Sequence, residues 1–294
     1  MNINNFHLWT AVITPLNEER KIDFETLTNI IKEQEDAKNG LLILGSTAEA
    51  LNMRLDDKKK IVEYAISLKT NSPIMIGVGG HQLEETLEWV KYLNQLPIDA
   101  MLMVTPIYSK PGSEGQYNWF KILLDASSKP VMLYNVPSRT AVSLSTEAVF
   151  RLSAHKNFWA IKEASGSVEK FKEYIKAANG KLVYCGDDAM TPEFSSNGAV
   201  GLVSVASNAW ARETNLYVEK CLNKTFNDKN LWAESSNSLF VASNPVPVKR
   251  LMFENGKIKT PFLFPPLSHE DLKDISQIIK SDKEIKKWFE RNRK

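Results

Sequence analysis

The chain is poor in cysteine, with two in 294 residues, Cys185 and Cys221. Two thiols are too few for a disulfide framework, and Cys185 falls in an apolar, strand-like run. Reduced thiols in a cytoplasmic protein are therefore expected. Histidine is scarce as well. His7, His81, His155 and His269 are scattered, without ligand-like spacing among themselves or with the cysteines, which argues against a metal site. No apolar run reaches the length of about eighteen residues that a membrane span needs. The stretch Met1 to Phe6 lacks the basic start and long apolar core of a signal peptide. A strong excess of one charge is also missing: the net +2 gives no general affinity for nucleic acid or membrane. A phosphate loop is absent, since Gly77-Val-Gly-Gly80 lacks the Lys-Ser/Thr ending and reads as a tight strand exit. At 43% hydrophobic and 24% charged, the composition is that of a soluble globular protein with enough chain for one large core.

What is present is a recurring pattern. Eight short apolar runs stand at Trp9–Ile13, Leu41–Leu44, Ile74–Val78, Ala100–Val104, Val131–Tyr134, Trp159–Lys162, Leu182–Cys185 and Val200–Val203. Each is rich in Val, Ile, Leu or Met and is followed by turn-forming residues, as buried parallel strands are. Helix-like segments lie between them. Asp23 predicts the cap of a helix running to Lys38, and Asp56 the cap of the next. Segments 84–93, 116–126, 146–152 and 168–178 carry apolar residues at helical spacing. Eight such units predict a closed parallel α/β barrel, the TIM (β/α)8 architecture, over residues 1–210. From 211 to 294 the strands stop. Three or more helices are expected there, broken by Asn244-Pro-Val-Pro247 and by residues 261–266, with the last beginning at Glu270. Its basic end (Lys286, Lys287, Arg291, Arg293, Lys294) reads as a solvated face favoured by the helix dipole, not as a nucleic-acid patch.

The stretch Trp159-Ala-Ile-Lys-Glu-Ala-Ser-Gly166 is chemically the most informative. Side chains alternate along a strand, so Ala160, Lys162 and Ala164 share one face while Ile161 points the other way. Lys162 thus projects from a strand end with alanines for neighbours. Burial disfavours the charged form of an amine, and a neutral amine attacks carbonyls and forms Schiff bases. A lysine that snorkels to water is the bland alternative.

In such barrels the chemistry sits where the strands end. The second run ends in Gly45-Ser-Thr-Ala-Glu49, whose hydroxyls and amides suit a carboxylate, although Gly-Ser-Thr is also an ordinary turn. The fourth leads to Tyr108 on a proline-stiffened loop. The fifth ends in Tyr134-Asn-Val-Pro-Ser-Arg-Thr140; by parity Tyr134 shares the face of Met132, as Lys162 shares that of Ala160. A phenol beside an amine supplies the proton shuttle that imine formation needs, and Arg139 suits capture of a carboxylate at the mouth.

The set Gly45-Ser-Thr-x-Glu49, Tyr134-Asn-Val-Pro-Ser-Arg-Thr140, Ile161-Lys-Glu-Ala-Ser-Gly166 and Gly186-Asp-Asp188 resembles the pyruvate-dependent class I aldolase family of dihydrodipicolinate synthase and N-acetylneuraminate lyase. The resemblance runs from about Trp9 to Val248. It implies no cofactor beyond a covalent pyruvate imine on Lys162, whose enamine attacks the aldehyde of aspartate semialdehyde in lysine (diaminopimelate) biosynthesis. It further implies Tyr134 as proton donor and acceptor, and Ser46 and Tyr108 as a relay to solvent. Thr47 would hold the pyruvate carboxylate, Arg139 that of the aldehyde, and Gly186 and Val203 would line the pocket through backbone groups. The family lends the tyrosine matching Tyr108 across an interface, so a homo-oligomer, dimer or tetramer, is expected.

Three departures stand out. Ser46 replaces the threonine usual in the synthases, a lyase habit. Ala48 replaces a glycine, so the turn must avoid positive φ there. The histidines and tyrosine that serve lysine feedback in bacterial relatives match Leu55, Lys58 and Ile107, which cannot reproduce those contacts. Two rival readings remain at this point: another aldolase of the family acting on sialic or keto-deoxy-sugar acids, and a barrel without catalysis that serves as sensor or scaffold. Arg139 favours a carboxylate-bearing aldehyde over a polyol.

Overall fold

The computed structural model describes residues 2–293. Eight parallel strands close into one barrel in sequence order: β1 (Leu8–Ala11), β2 (Gly40–Ile43), β3 (Ile74–Val78), β4 (Ala100–Val104), β5 (Val131–Asn135), β6 (Phe158–Glu163), β7 (Leu182–Cys185) and β8 (Leu202–Ser204). The helices between them are α1 (Phe24–Asp36), α2 (Leu55–Ser67), α3 (Leu83–Asn94), α4 (Ser113–Ala126), the one-turn α5 (Pro137–Thr140), α6 (Thr146–Leu152), α7 (Val168–Ala177) and α8 (Thr191–Ser196). After β8 follow α9 (Ala211–Leu222), α10 (Lys229–Ser238), α11 (Val246–Glu254) and α12 (Ser276–Asn292). The barrel and its helical extension are as the sequence predicts.

Alternation along the strands divides the core in two. Ile161, Leu133, Met103 and Val183 point outward and pack under the helices. Leu42, Met75, Leu102, Met132, Ala160 and Val203 point inward and fill the barrel. The floor is closed by aromatic rings. Trp9 and Trp159 meet edge-on at 5.9 Å, and Trp159 and Tyr184 lie 5.7 Å apart. The segment before β1 caps this floor: Asn4 Oδ1 accepts from Trp159 Nε1 at 2.8 Å, and the Phe6 carbonyl accepts from the Tyr184 hydroxyl at 3.2 Å.

Several boundaries differ from expectation for identifiable reasons. β1 stops at Ala11 instead of Ile13, because the Ile13 amide donates to the Asn208 side chain at 3.0 Å. Asp23 caps α1 as expected, accepting from the Thr26 amide. Asp56 does not cap α2. The helix starts two residues earlier than that cap would place it, after Arg54, and leaves Asp56 in the first turn, where its charge suits the dipole. Pro247 sits in the first turn of α11, where a missing amide is harmless. The last helix begins at Ser276, not Glu270. Ser268 caps a separate single turn over His269–Asp271, and Asp274 accepts from the Ser276 amide at 2.9 Å to start α12. Ile278, Ile285 and Trp288 are buried on its inner face. Trp288 meets Trp232 edge-on at 5.1 Å, and Trp232 stacks on Tyr217 at 4.0 Å. This cluster ties α9, α10 and α12 together, each pair worth about 0.5–1.5 kcal/mol beyond area burial.

Candidate active site at the strand ends

The register of β5 and β6 sets the site. Tyr134 and Lys162 are direct cross-strand partners, as are Met132 and Ala160 one layer below. Both side chains therefore face the barrel axis at the carboxyl end, and Lys162 Nζ lies 4.3 Å from the centroid of the Tyr134 ring. Lys162 is 4% exposed and Tyr134 6%, so the sequence-derived orientation of both is correct. Space for the lysine comes from β7. A Cβ built on Gly186 would stand 2.9 Å from Lys162 Cε, 2.8 Å from Ala164 Cβ and 3.0 Å from the Glu163 carbonyl. Gly186→Ala is therefore expected to push the amine off position. A misplacement of about 1 Å costs about 10²-fold in turnover. The overpacking itself costs about 1–3 kcal/mol. Steady-state rates and a thermal melt check both.

The outward faces of the same strands carry a second pairing that sequence reasoning missed. Asn135 and Glu163 follow Tyr134 and Lys162 and are partners in the ladder. Asn135 Nδ2 donates to Glu163 Oε2 at 2.9 Å, and the Leu144 amide donates to Asn135 Oδ1 at 2.8 Å. The Ser165 amide and hydroxyl also donate to Glu163. Both residues are fully buried, and burial pushes the Glu163 carboxyl above the usual range despite these donors. The pair stitches β5 to β6 one residue beyond Tyr134 and Lys162. A signal existed: two consecutive strands each end in a polar residue on an otherwise apolar outward face.

Opposite, the chain leaving β2 turns sharply. A Cβ on Gly77 would stand 2.0 Å from the Leu44 carbonyl oxygen, so only glycine admits this turn against β3. Ser46–Ala48 form one 3-10 turn closed by Ala48 N–H to the Gly45 carbonyl and Glu49 N–H to the Ser46 carbonyl. That geometry leaves the leading amides of Ser46 and Thr47 without backbone acceptors among the described residues. Ala48 avoids positive φ, as its side chain requires. Glu49 takes the left-handed conformation instead, with φ 62°. Thr47 is buried, and its Oγ1 accepts from Asn244 Nδ2 at 3.0 Å, while Ser46 is half-buried. The Asn244 carbonyl in turn accepts from the Arg139 guanidinium at 3.1 Å. Arg139, on α5, is exposed at the mouth. Glu49 points away from the mouth into the protein, where Lys249 Nζ donates to its Oε1 at 2.6 Å and the Phe264 amide to its Oε2 at 2.6 Å.

Val203 is buried on the inward face of β8. Asp188, two residues past Gly186, accepts from the Ser204 hydroxyl and from the Val205 amide at 3.0 Å, joining the ends of β7 and β8. Burial pushes its carboxyl up to about 6. Tyr108 is not brought to the others within one chain. It is 89% exposed on a loop where it and Lys110 both have positive φ, and no hydrogen bond among the described residues joins it to Ser46 or Tyr134. Both cysteines are buried and free, and no group of metal-ligating side chains is assembled among the described residues. No helix among the described residues is long and apolar enough to cross a membrane.

Fold and site together define a (β/α)8 barrel with its candidate active site at the carboxyl ends of the strands. A sequence model of the dihydrodipicolinate synthetase family matches residues 5–282. The chain belongs to that family. It is 42% identical over 291 residues to a 4-hydroxy-tetrahydrodipicolinate synthase of Francisella tularensis subsp. novicida, covering 98% of each chain. Among solved structures, the 4-hydroxy-tetrahydrodipicolinate synthase of Methylacidiphilum fumariolicum SolV superposes with a TM-score of 0.91 at 28% identity, covering 98% of both chains. A dihydrodipicolinate synthase of Acinetobacter baumannii, solved in complex with pyruvate, superposes at 0.88 with 30% identity, covering 96% of this chain and 99% of that one.

Proposed function

We propose that this protein condenses pyruvate with L-aspartate 4-semialdehyde to 4-hydroxy-tetrahydrodipicolinate, the committed chemistry of diaminopimelate and lysine biosynthesis. The observation that carries the reading is the buried Lys162–Tyr134 pair, cross-strand neighbours with the amine over the phenol ring. In a chain of this family, that pair is what an imine mechanism requires. Lys162 Nζ attacks the keto carbon of pyruvate, water leaves, and loss of a methyl proton turns the imine into an enamine. The enamine carbon forms the new bond to the aldehyde carbon, whose oxygen takes a proton and becomes the hydroxyl. The amino group of the second substrate then adds to the imine carbon and displaces Lys162, closing the ring. Tyr134 stands where a proton must be given and taken at the carbinolamine.

Thr47 Oγ1, already accepting from Asn244, keeps its own proton free for the pyruvate carboxylate, beside the Ser46 and Thr47 amides. Gly186 and Val203 line the pocket floor, and Arg139 receives the carboxylate of the aldehyde by a charge-assisted contact at the mouth. Ser46 and the exposed Tyr108 complete the proton relay once a second copy supplies its Tyr108, making the working unit at least a dimer. No cofactor other than the lysine is needed. Borohydride reduction with pyruvate, read by intact mass and peptide mapping, tests the reading: an adduct on Lys162 is expected, and an unmodified chain would sink it. Turnover compared between aspartate semialdehyde and N-acetylneuraminate separates the synthase from the lyase.

Feedback by lysine is expected to be weak. Leu55 is exposed at the start of α2, and Lys58, whose burial lowers its pKa, puts a cation where a cationic effector would have to bind. Half-inhibition at submillimolar lysine would refute this.

A further inference from the structure

Lys249 and Glu49 are both completely buried, with side chains at 0% exposure and a 2.6 Å ion pair between them. The pair is far from isolated. Lys249 Nζ also donates to the Phe262 carbonyl at 2.8 Å, and Glu49 also accepts from the Phe264 amide at 2.6 Å. Three segments meet here: the turn after β2, helix α11, and the irregular 262–264 stretch beyond it. Burial raises the Glu49 carboxyl and lowers the Lys249 amine, each opposed by the other's charge. Desolvating two charges offsets most of what their attraction returns, and two apolar side chains of similar volume would hold such a space at least as firmly. Stability alone therefore does not account for the pair.

Its position does. Glu49 ends the turn that carries Thr47, and its left-handed backbone fixes the direction in which that turn leaves. Five residues before Lys249, Asn244 donates to Thr47 Oγ1 at 3.0 Å. Two residues of the turn, 47 and 49, are thus gripped by two residues of one C-terminal segment, 244 and 249. The first grip is a single neutral hydrogen bond at the site itself. The second is a charged anchor behind it, on a helix.

We propose that Glu49 and Lys249 are positioning residues for the ketoacid: their ion pair clamps the Gly45–Glu49 turn to α11 and so sets where Thr47 and the Ser46 and Thr47 amides meet the pyruvate carboxylate. The inference rests on the assignment of that turn to pyruvate. It makes the C-terminal helical region a working part of the site, although none of its residues need touch the reacting atoms. Asn244 and Lys249 together transmit the set of the extension to the turn.

The test uses the full-length protein and two double variants without a buried charge, Glu49→Met/Lys249→Met and Glu49→Gln/Lys249→Met; the glutamine keeps an acceptor for the Phe264 amide. Each is scored for folding by circular dichroism and a melt, and then for half-saturation by pyruvate in borohydride trapping and in turnover. Melting at or above the wild-type temperature is expected, because removing a buried pair whole is neutral or stabilising. Half-saturating pyruvate should rise at least about tenfold through lost positioning. Trapping at saturating pyruvate and half-saturation by the aldehyde should stay at wild-type values, a split that a purely structural role would not produce. A folded variant with wild-type half-saturation by pyruvate overturns the proposal. So does failure of both variants to fold, which would assign the pair to folding alone. The wild type is the control: absence of its pyruvate adduct removes the functional reading and this inference together, whereas a normal adduct with unshifted variants removes only the clamp.

Discussion

Lys162→Met should abolish turnover, by at least about 10³-fold, and with it all borohydride-dependent mass gain from pyruvate. Methionine is unbranched and flexible enough to occupy the lysine's slot between Ala160, Ala164 and the Tyr134 ring. The fold should therefore survive. Nζ faces an aromatic ring and a pocket lined by alanine and glycine carbons, so a polar head is held among apolar atoms at a cost in free energy. Removing that head should leave the melting temperature unchanged or raise stability by about 1 kcal/mol. Loss of activity with equal or greater stability is the signature of a residue kept for chemistry. A variant that retains the wild-type rate would end the imine reading, and one that fails to fold would reassign Lys162 to structure.

Tyr134→Phe should lower kcat by about 10²–10⁴-fold, the range for loss of a positioned proton donor and acceptor. The ring stays, so the packing against Lys162 and the inward layer over Met132 stay with it. The adduct should still form at long times, because the amine is intact, but it should form slowly; the time course of trapping separates this from a binding defect. Half-saturation by pyruvate should change far less than kcat. Equal trapping rates in variant and wild type would remove the phenol from the proton path.

Legibility in the sequence followed the range of each interaction. Strand parity put Lys162 on the face of Ala160 and Tyr134 on that of Met132; the closed barrel turns that face inward, and the register of β5 with β6 puts the two side by side, because both lie one residue from the end of their strands. The helix ends were harder. Asp56 looked like a cap, yet the chain entered α2 at Leu55, since a cap is decided by backbone geometry at one residue and not by the residue's type. Asp274, whose carboxylate accepts from the first amide of α12, stood unnoticed inside a segment read as helix. Contacts between remote segments were illegible altogether. Nothing local tells Glu49 that Lys249 lies against it, or Thr47 that Asn244 does, because these meetings are products of the closed barrel and its extension. Asn135 and Glu163 lie between these extremes: they sit beside recognised residues, but their contribution is made on the face turned away from the site.

The aromatic floor formed by Trp9, Trp159 and Tyr184 makes the barrel a vessel with one opening. Both reactants and the ring that leaves must share that doorway. Lys162 is buried and Arg139 is exposed at the mouth, so on the roles proposed for them a ketoacid has to pass the rim before the aldehyde settles there. An aldehyde that lodged first would bar the route to the amine. Under those proposed roles the order of arrival is imposed by depth, whatever the two affinities are.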